Sequence, residues 1–386
     1  MQAGRKASAL NGFVQWNRDE AVPVWATRGF DAAAGRFHER LDAAGAPLPV
    51  PHRAMVQARQ IYVFAHAAAL GWHPAGGELA ERAMASLRRD HCDDGATTAS
   101  VAFAIDPQSG RCVSASRDSY THAFVLFAIA HLYRLTGGAA LLAFAERVAA
   151  FVKRDLYDLD HGGVVDALPA VSTAKRQNPQ MHLLEAYLAL EEAAPGRGWL
   201  ERADPLVALF HDRMTRAEHG VLLEHFAHDW GDHPEAAKRH VFEPGHHYEW
   251  AWLLDRHGRL SGRDHRAWRA TLHATAAKHG HAPGGLIHDE VAATGEVVKR
   301  SHRLWPHTEA IKAAAARHRD GDGEALDAAE RMATLVRAHF LDTPFAGGWT
   351  DQIAATGAPL VDYVPASSLY HLFLAAAEAA RITDQP

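Results

Sequence analysis

Residues 244–254 read PGHHYEWAWLL, and residues 303–313 read RLWPHTEAIKA. In each, a proline stands where a helix starts, because the first turn leaves the N–H that proline lacks without an intrahelical partner. Apolar residues follow, and ionisable groups sit among them. His246 and Glu249 are three apart, so on a helix they share a face. Burying such groups without partners is costly. These stretches therefore predict helices whose inward faces carry chemistry.

Segments of this kind recur along the chain. Arg59 lies in MVQARQIYVFA, Tyr120 and His122 in DSYTHAFVLFA, Asn178 and His182 in NPQMHLLEAYLAL, and His371 in PASSLYHLFLA. Taking Arg59, Tyr120, His182, His246, Glu309 and His371, the steps are 61, 62, 64, 63 and 62 residues. The turns recur too. Gly162-Gly163 precedes VVDAL, Gly220 precedes VLLEHF, Gly284-Gly285 precedes LIHDEV and Gly347-Gly348 precedes WTDQI. Glycine followed by a short β-prone run reads as a turn leading into a strand. VAFAIDPQSGRCVSAS and DEVAATGEVVKR read as hairpins.

Helical periodicity predicts twelve helices, near 8–27, 52–72, 77–91, 118–136, 139–156, 178–194, 198–216, 244–258, 263–279, 303–319, 323–341 and 365–381. Six helix pairs must bury their apolar faces on neighbours, as an open solenoid or a closed ring. Total length and one inward polar position per repeat favour closure. An α/β barrel is disfavoured, because the β-prone runs follow helix pairs instead of alternating with single helices.

The composition excludes several classes. The chain has 386 residues, 48% hydrophobic and 22% charged, with a formal net charge of −6. No basic stripe marks a nucleic-acid surface. No apolar run is long enough to span a membrane, and the N-terminus lacks the apolar core of a secretory signal. Cys92 and Cys112 lack CxxC spacing and do not make a disulfide framework, so a cytoplasmic location is expected. Phosphate-loop and nucleophile-elbow motifs are absent. Histidine, with 28 residues, is the outlier. The stretch HFAHDWGDH, 225–233, offers His225, His228, His233, Asp229 and Asp232 as a conceivable surface metal site, but a solvated loop is the simpler reading. The plain alternative for Arg59 is a buried Arg–Glu ion pair, and for Trp250, Trp252 and Trp305 a place in the core.

MVQARQIY, NPQMHLLEA, PGHHYEWAWLL, RLWPHTEAIKA and PASSLYH together resemble the N-acylglucosamine 2-epimerase superfamily, which includes mannose, sulfoquinovose and cellobiose-converting enzymes. The resemblance runs from residue 55 to 371. It implies an all-α fold, one (α/α)6 barrel over residues 1–386 with short β-hairpins in the connecting loops, and neither metal nor redox cofactor. It places His246 and His371 as the acid–base pair. It places Arg59, Tyr120, Asn178, His182, Glu249, Trp305 and Glu309 along the substrate pocket.

The residue types suit proton transfer next to a sugar carbonyl. Histidine titrates near neutrality and can take and return a proton. Arg59 is suited to offset charge developing on O1 or O2, Glu249 and Glu309 to orient a histidine or grip hydroxyls, Asn178 and His182 to read hydroxyl positions, and Trp305 to stack on the ring. His371 is the preferred group for removing the C2 proton, with His246 opening the ring. Leu304-Trp305 replaces the Trp-Trp pair seen in cellobiose and N-acylglucosamine 2-epimerases, so the resemblance leans toward mannose isomerase. The expected reaction is D-mannose to D-fructose, with D-lyxose to D-xylulose as a side activity, in a monomer or homodimer acting on a monosaccharide. Alternatives are a 2-epimerase, a barrel glycoside hydrolase using Glu249 and Glu309, and a non-catalytic sugar-binding protein.

Overall fold

The computed structural model describes residues 8–383. Its helices are α1 (Ala9–Trp16), α2 (Val22–Thr27), α3 (Ala54–Ala69), α4 (Gly76–His91), α5 (Ser119–Thr136), α6 (Ala139–Phe151), α7 (Gln177–Ala193), α8 (Trp199–Leu209), α9 (Pro244–Ser261), α10 (Arg266–His279), α11 (Leu304–Arg319), α12 (Ala325–His339) and α13 (Leu369–Thr383). A π turn, Asn17–Ala21, carries α1 into α2 without a break, which leaves the twelve helices that the periodicity predicts. None is long and apolar enough to cross a membrane.

Helices α3, α5, α7, α9, α11 and α13 form an inner ring in which each packs on the next and α13 returns to α3. The outer helices α4, α6, α8, α10 and α12 each pack on the inner helix before them, and α1 packs on α12 and α13. Burial explains the two kinds of sequence. α3 buries every residue from Ala54 to Ala67. α4 buries little more than the stripe Ala80, Ala83, Met84, Leu87 and His91, the pattern of a helix with one face in water.

The loops close the ring. A two-residue strand at or just before the start of each inner helix pairs antiparallel with a strand in another loop. His52–Arg53 pairs with Ala104–Ile105, Arg117–Asp118 with Ala167–Leu168, and Lys175–Arg176 with His225–Phe226. Val241–Phe242 pairs with Val291–Ala292, and His302–Arg303 with Gln352–Ile353. Val364–Pro365 pairs back with Arg40–Leu41, joining the last repeat to the first. No strand exceeds three residues among those described, which removes the α/β barrel. Both expected hairpins form, Ala104–Ile105 with Cys112–Ser114 and Glu290–Ala292 with Val297–Lys299.

A second device fastens five of the six inner helices, α3 to α11, to the loop beneath them. Gln57 accepts from the Phe37 N–H and donates to the Phe37 carbonyl, at 2.9 and 2.7 Å, and Gln180 does the same at Val164. On α5, α9 and α11 a histidine takes the place of glutamine. Nε2 of His122, His247 and His307 accepts from the N–H of Val101, Leu222 and Ile287. His122 and His307 donate with Nδ1 to carbonyls one turn back. A backbone group buried without a partner is costly, so these side chains complete a loop that short strands leave unsatisfied. Gly163 lies in this layer. A Cβ there would come within 2.8 Å of Trp230, Gln180 and Leu209, and its φ is +71°.

Candidate active site

The inner helices all point their N-terminal ends at one mouth, and the expected site residues lie within the first turns. Six positive helix ends therefore converge on this space, a setting that favours developing negative charge.

His246, in the first turn of α9, is 4% exposed. Its Nδ1 lies 2.9 Å from Glu224 Oε2, and its Nε2 lies 3.1 Å from the Asn178 amide. Burial opposes a charge on His246, but Glu224 and Glu243 outweigh it and raise its pKa to about 9. Burial also works against Glu224, yet His246, Gln177 and the Glu243 N–H hold it down at about 2. A charged imidazole has no lone pair to accept from Asn178. Asn178 therefore turns its oxygen to Nε2–H, an orientation that the otherwise unpartnered Oδ1 permits. Asn178 is not a helix cap. The ladder through Arg176 starts α7 at Gln177, so Asn178 lies inside the first turn with its side chain free to reach α9.

His371 is biased the other way. Its Nδ1 lies 2.8 Å from Glu309 Oε1. Burial, followed by the charges of Arg59 and Lys312, holds it well below the usual histidine value. Between the two histidines stands Trp305, half-buried, with ring centroids 4.8 Å from His246 and 5.5 Å from His371. Gly245 makes room for it, since a Cβ there would lie 2.5 Å from the indole. Leu304 is fully buried. It faces the core, so the Leu-for-Trp replacement bears on packing more than on the mouth.

Arg59 is 4% exposed and has no carboxylate within 4 Å among the described residues, so the buried ion pair does not exist. Nη1 donates to the Ser367 carbonyl at 3.0 Å and Nη2 to the Tyr120 hydroxyl. Phe124 and Tyr370 flank the guanidinium at 4.2 and 4.9 Å, and Nε is unpartnered. His182 contacts Glu185 Oε2 at 3.0 Å and packs edge-on against Tyr120 at 5.0 Å. Burial takes His182 down to about 4. Both Glu249 oxygens are buried without hydrogen-bond partners, and burial beside Glu309 raises its pKa well above the usual value. Glu249 is thus biased toward its neutral form, in which it can donate.

The structure thus brings all nine expected residues to one end of the barrel. It also adds partners that the sequence reading passed over. Glu185, Lys312 and Tyr370 stand one to three positions from residues already singled out. Glu224 sits in VLLEHF, a loop segment noted only for its glycine turn. His122 belongs to the loop fastening, not the pocket.

Several clusters bring carboxylate and imidazole atoms within 4.8 Å of one another: His182–Glu185–Glu249, Glu224–Glu243–His246 and Glu249–Glu309–His371. Each already has a protein cation nearby. Lys312 lies between Glu249 and Glu309, and Arg303 binds Glu243. The histidines of 225–233 form no such cluster among the described residues, and His228 instead packs against His161. A cavity of about 420 Å³ between α6 and α8, lined by Lys153, Tyr187 and Arg202, lies on the outer wall away from this site.

A closed ring of helix pairs is the fold of solved sugar isomerases and epimerases and also of a GH76 mannanase. The sequence profile of the N-acylglucosamine 2-epimerase family matches residues 35–375, and the chain belongs to that family. It is 34% identical over 387 residues to a mannose-6-phosphate isomerase of Rhizobium meliloti (strain 1021), covering 97% of this chain and 96% of the relative. It is 29% identical to a D-mannose isomerase of Thermobifida fusca, covering 89% and 90%. The fold matches that of cellobiose 2-epimerase from Bacillus thermoamylovorans B4167 with a TM-score of 0.85 at 19% identity, over 96% of this chain and 99% of that one.

Proposed function

We propose that the chain, working as one catalytic barrel, is an aldose–ketose isomerase that interconverts D-mannose and D-fructose through an enediolate. The observation that carries this reading is the opposite bias of two histidines on either side of Trp305. His246 is held charged and can give a proton to the ring oxygen or O1. His371 is held neutral, with Nδ1 tied to Glu309 and Nε2 left as a base for the C2 proton. Arg59 and the converging helix ends stabilise the enediolate, and Glu249 donates to a hydroxyl. Returning the proton to C1 gives the ketose. Returning one to the opposite face of C2 gives the epimer.

The rim bears on the substrate. Arg53, Arg176 and Arg303 each precede an inner helix, but carboxylates already hold each of them: Glu39, Asp166, and Asp289 with Glu243. A balanced rim suits a free hexose better than the phosphorylated one named for the R. meliloti relative. The glycosidase alternative loses ground because Glu249 and Glu309 both sit against the buried Lys312 ammonium, at 4.0 and 2.6 Å, and Glu309 is also held by His371 Nδ1.

The test is proton NMR in deuterated water with chelator present, using D-mannose and D-mannose 6-phosphate in parallel. Fructose from free mannose supports the proposal. Glucose deuterated at C2, with no fructose, makes the enzyme a 2-epimerase. Turnover of the phosphate alone overturns the substrate.

A further inference from the structure

Deep in the ring, below the two histidines, a lysine has no contact with water. Lys312 is fully buried on α11, one turn beyond Glu309. Its Nζ lies 2.6 Å from Glu309 Oε2 and 4.0 Å from Glu249 Oε1, and rests 4.0 Å from the centre of the Trp252 ring. A buried ammonium is costly unless its charge is used. The carboxylate that Lys312 touches is the one whose other oxygen meets His371 Nδ1. We propose that Lys312 is a positioning residue: its ammonium keeps Glu309 as an acceptor, so that the His371 proton stays on Nδ1 and the lone pair of Nε2 faces the substrate.

The surroundings leave this charge without a substitute. Facing the Lys312–Glu309–His371 line are Arg59 from α3, Tyr120 from α5, His182 and Glu185 from α7, His246 and Glu249 from α9, and Tyr370 from α13. Arg59 is turned to Tyr120 and Ser367, and His246 to Glu224. Glu249 and Glu185 add negative charge near Glu309 or the potential for it. Without Lys312, a proton enters the Glu309–His371 pair. If Glu309 takes it, the acid donates to Nδ1 and the ring proton moves to Nε2. If His371 takes it, the ring is charged. Either way the base is lost. Lys312 is also among the charges that hold His371 low, after burial and Arg59. Its removal therefore moves the acid limb of kcat/KM to higher pH.

The inference rests on the isomerase reading for its kinetic arm only. The experiment uses full-length enzyme with ¹⁵N-labelled histidine and no sugar, with the His371 signal assigned by its loss in His371→Asn. Wild type is expected to show a neutral ring protonated at Nδ1. Lys312→Met is expected to move the proton to Nε2 or charge the ring, and to raise the acid limb by about one pH unit. Lys312→Arg is expected to keep the wild-type pattern. If Lys312→Met does not fold, Lys312→Gln removes the charge while leaving a polar group in the buried site, and carries the same expectation. A folded neutral variant with the wild-type tautomer and an unmoved acid limb overturns the proposal. If wild type turns over none of the sugars, the isomerase reading falls, and the tautomer still decides the role of Lys312.

Discussion

Nδ1 of His246 lies 2.9 Å from Glu224 Oε2, a contact between the first turn of an inner helix and a loop residue 22 positions earlier. It keeps the imidazole charged up to about pH 9 although the ring is buried. Replacing Glu224 with Gln removes the larger of the charges that outweigh burial. Because His246 acts in its protonated form, the basic limb of kcat/KM is expected to fall by about one to two pH units, with activity at pH 8 down about 2–10-fold. A pH–rate profile of the variant checks this. An unmoved basic limb removes His246 from the role of acid.

His371→Ala is expected to lower kcat about 10²–10⁴-fold, the range for loss of a positioned base. The exchange of sugar C2–H with deuterated solvent is expected to stop with it. KM should change little, because Trp305 and the hydroxyl-facing groups remain. Steady-state kinetics and deuterium incorporation read the two effects separately. Near-wild-type exchange in this variant would falsify the assignment of the base.

Gly245→Ala places a methyl group where the indole of Trp305 now stands. Overpacking of this kind costs about 1–3 kcal/mol. The platform between the histidines is expected to tilt, raising KM about tenfold while the melting temperature drops by a few degrees. Tryptophan fluorescence quenching by added sugar reports the same change.

Stability should depend on pH more steeply on the acid side than on the alkaline side. Burial holds His247 at about 4, His307 at about 3 and His66 at about 3, and lowers His122 as well. Each stays neutral in the folded state while the unfolded chain binds a proton below about 6.5. Each therefore withdraws about 1.4 kcal/mol per pH unit as the pH falls from 6.5 toward its folded value. His246 has the opposite sign. Its contribution is complete below 6.5 and is lost as pH rises through about 9. Thermal melts are expected to peak near pH 6.5. Replacing His122, His247 and His307 together with Gln, the residue that does the same task at positions 57 and 180, is expected to flatten the acid slope. An unchanged slope would count against the fastening histidines as its source.

Much of this was legible in the sequence, for a physical reason. An inner helix buried on all sides has to account for each polar residue, so Arg59, His246 and His371 stand out against an apolar background. The same logic cannot separate tasks. In DSYTHAFVLFA, Tyr120 turns to Arg59 and His122 to the Val101 N–H, and nothing in the local pattern distinguishes pocket from loop. Lys312 and Glu185 were equally conspicuous, one turn beyond Glu309 and His182, but their partners lie on other helices. Glu224 was out of reach for a further reason. Its role depends on the strand Val241–Phe242 bringing a distant loop under α9.

The strand pair between Val364–Pro365 and Arg40–Leu41 is of the same kind as the pairs at the other five seams. In the ring of strand pairs, therefore, no seam marks where the chain begins. A circular permutant, with the old ends linked and new ones cut in the fully exposed loop around Val171, retains every seam and every fastening. Chain order and ring order are separate properties of this barrel.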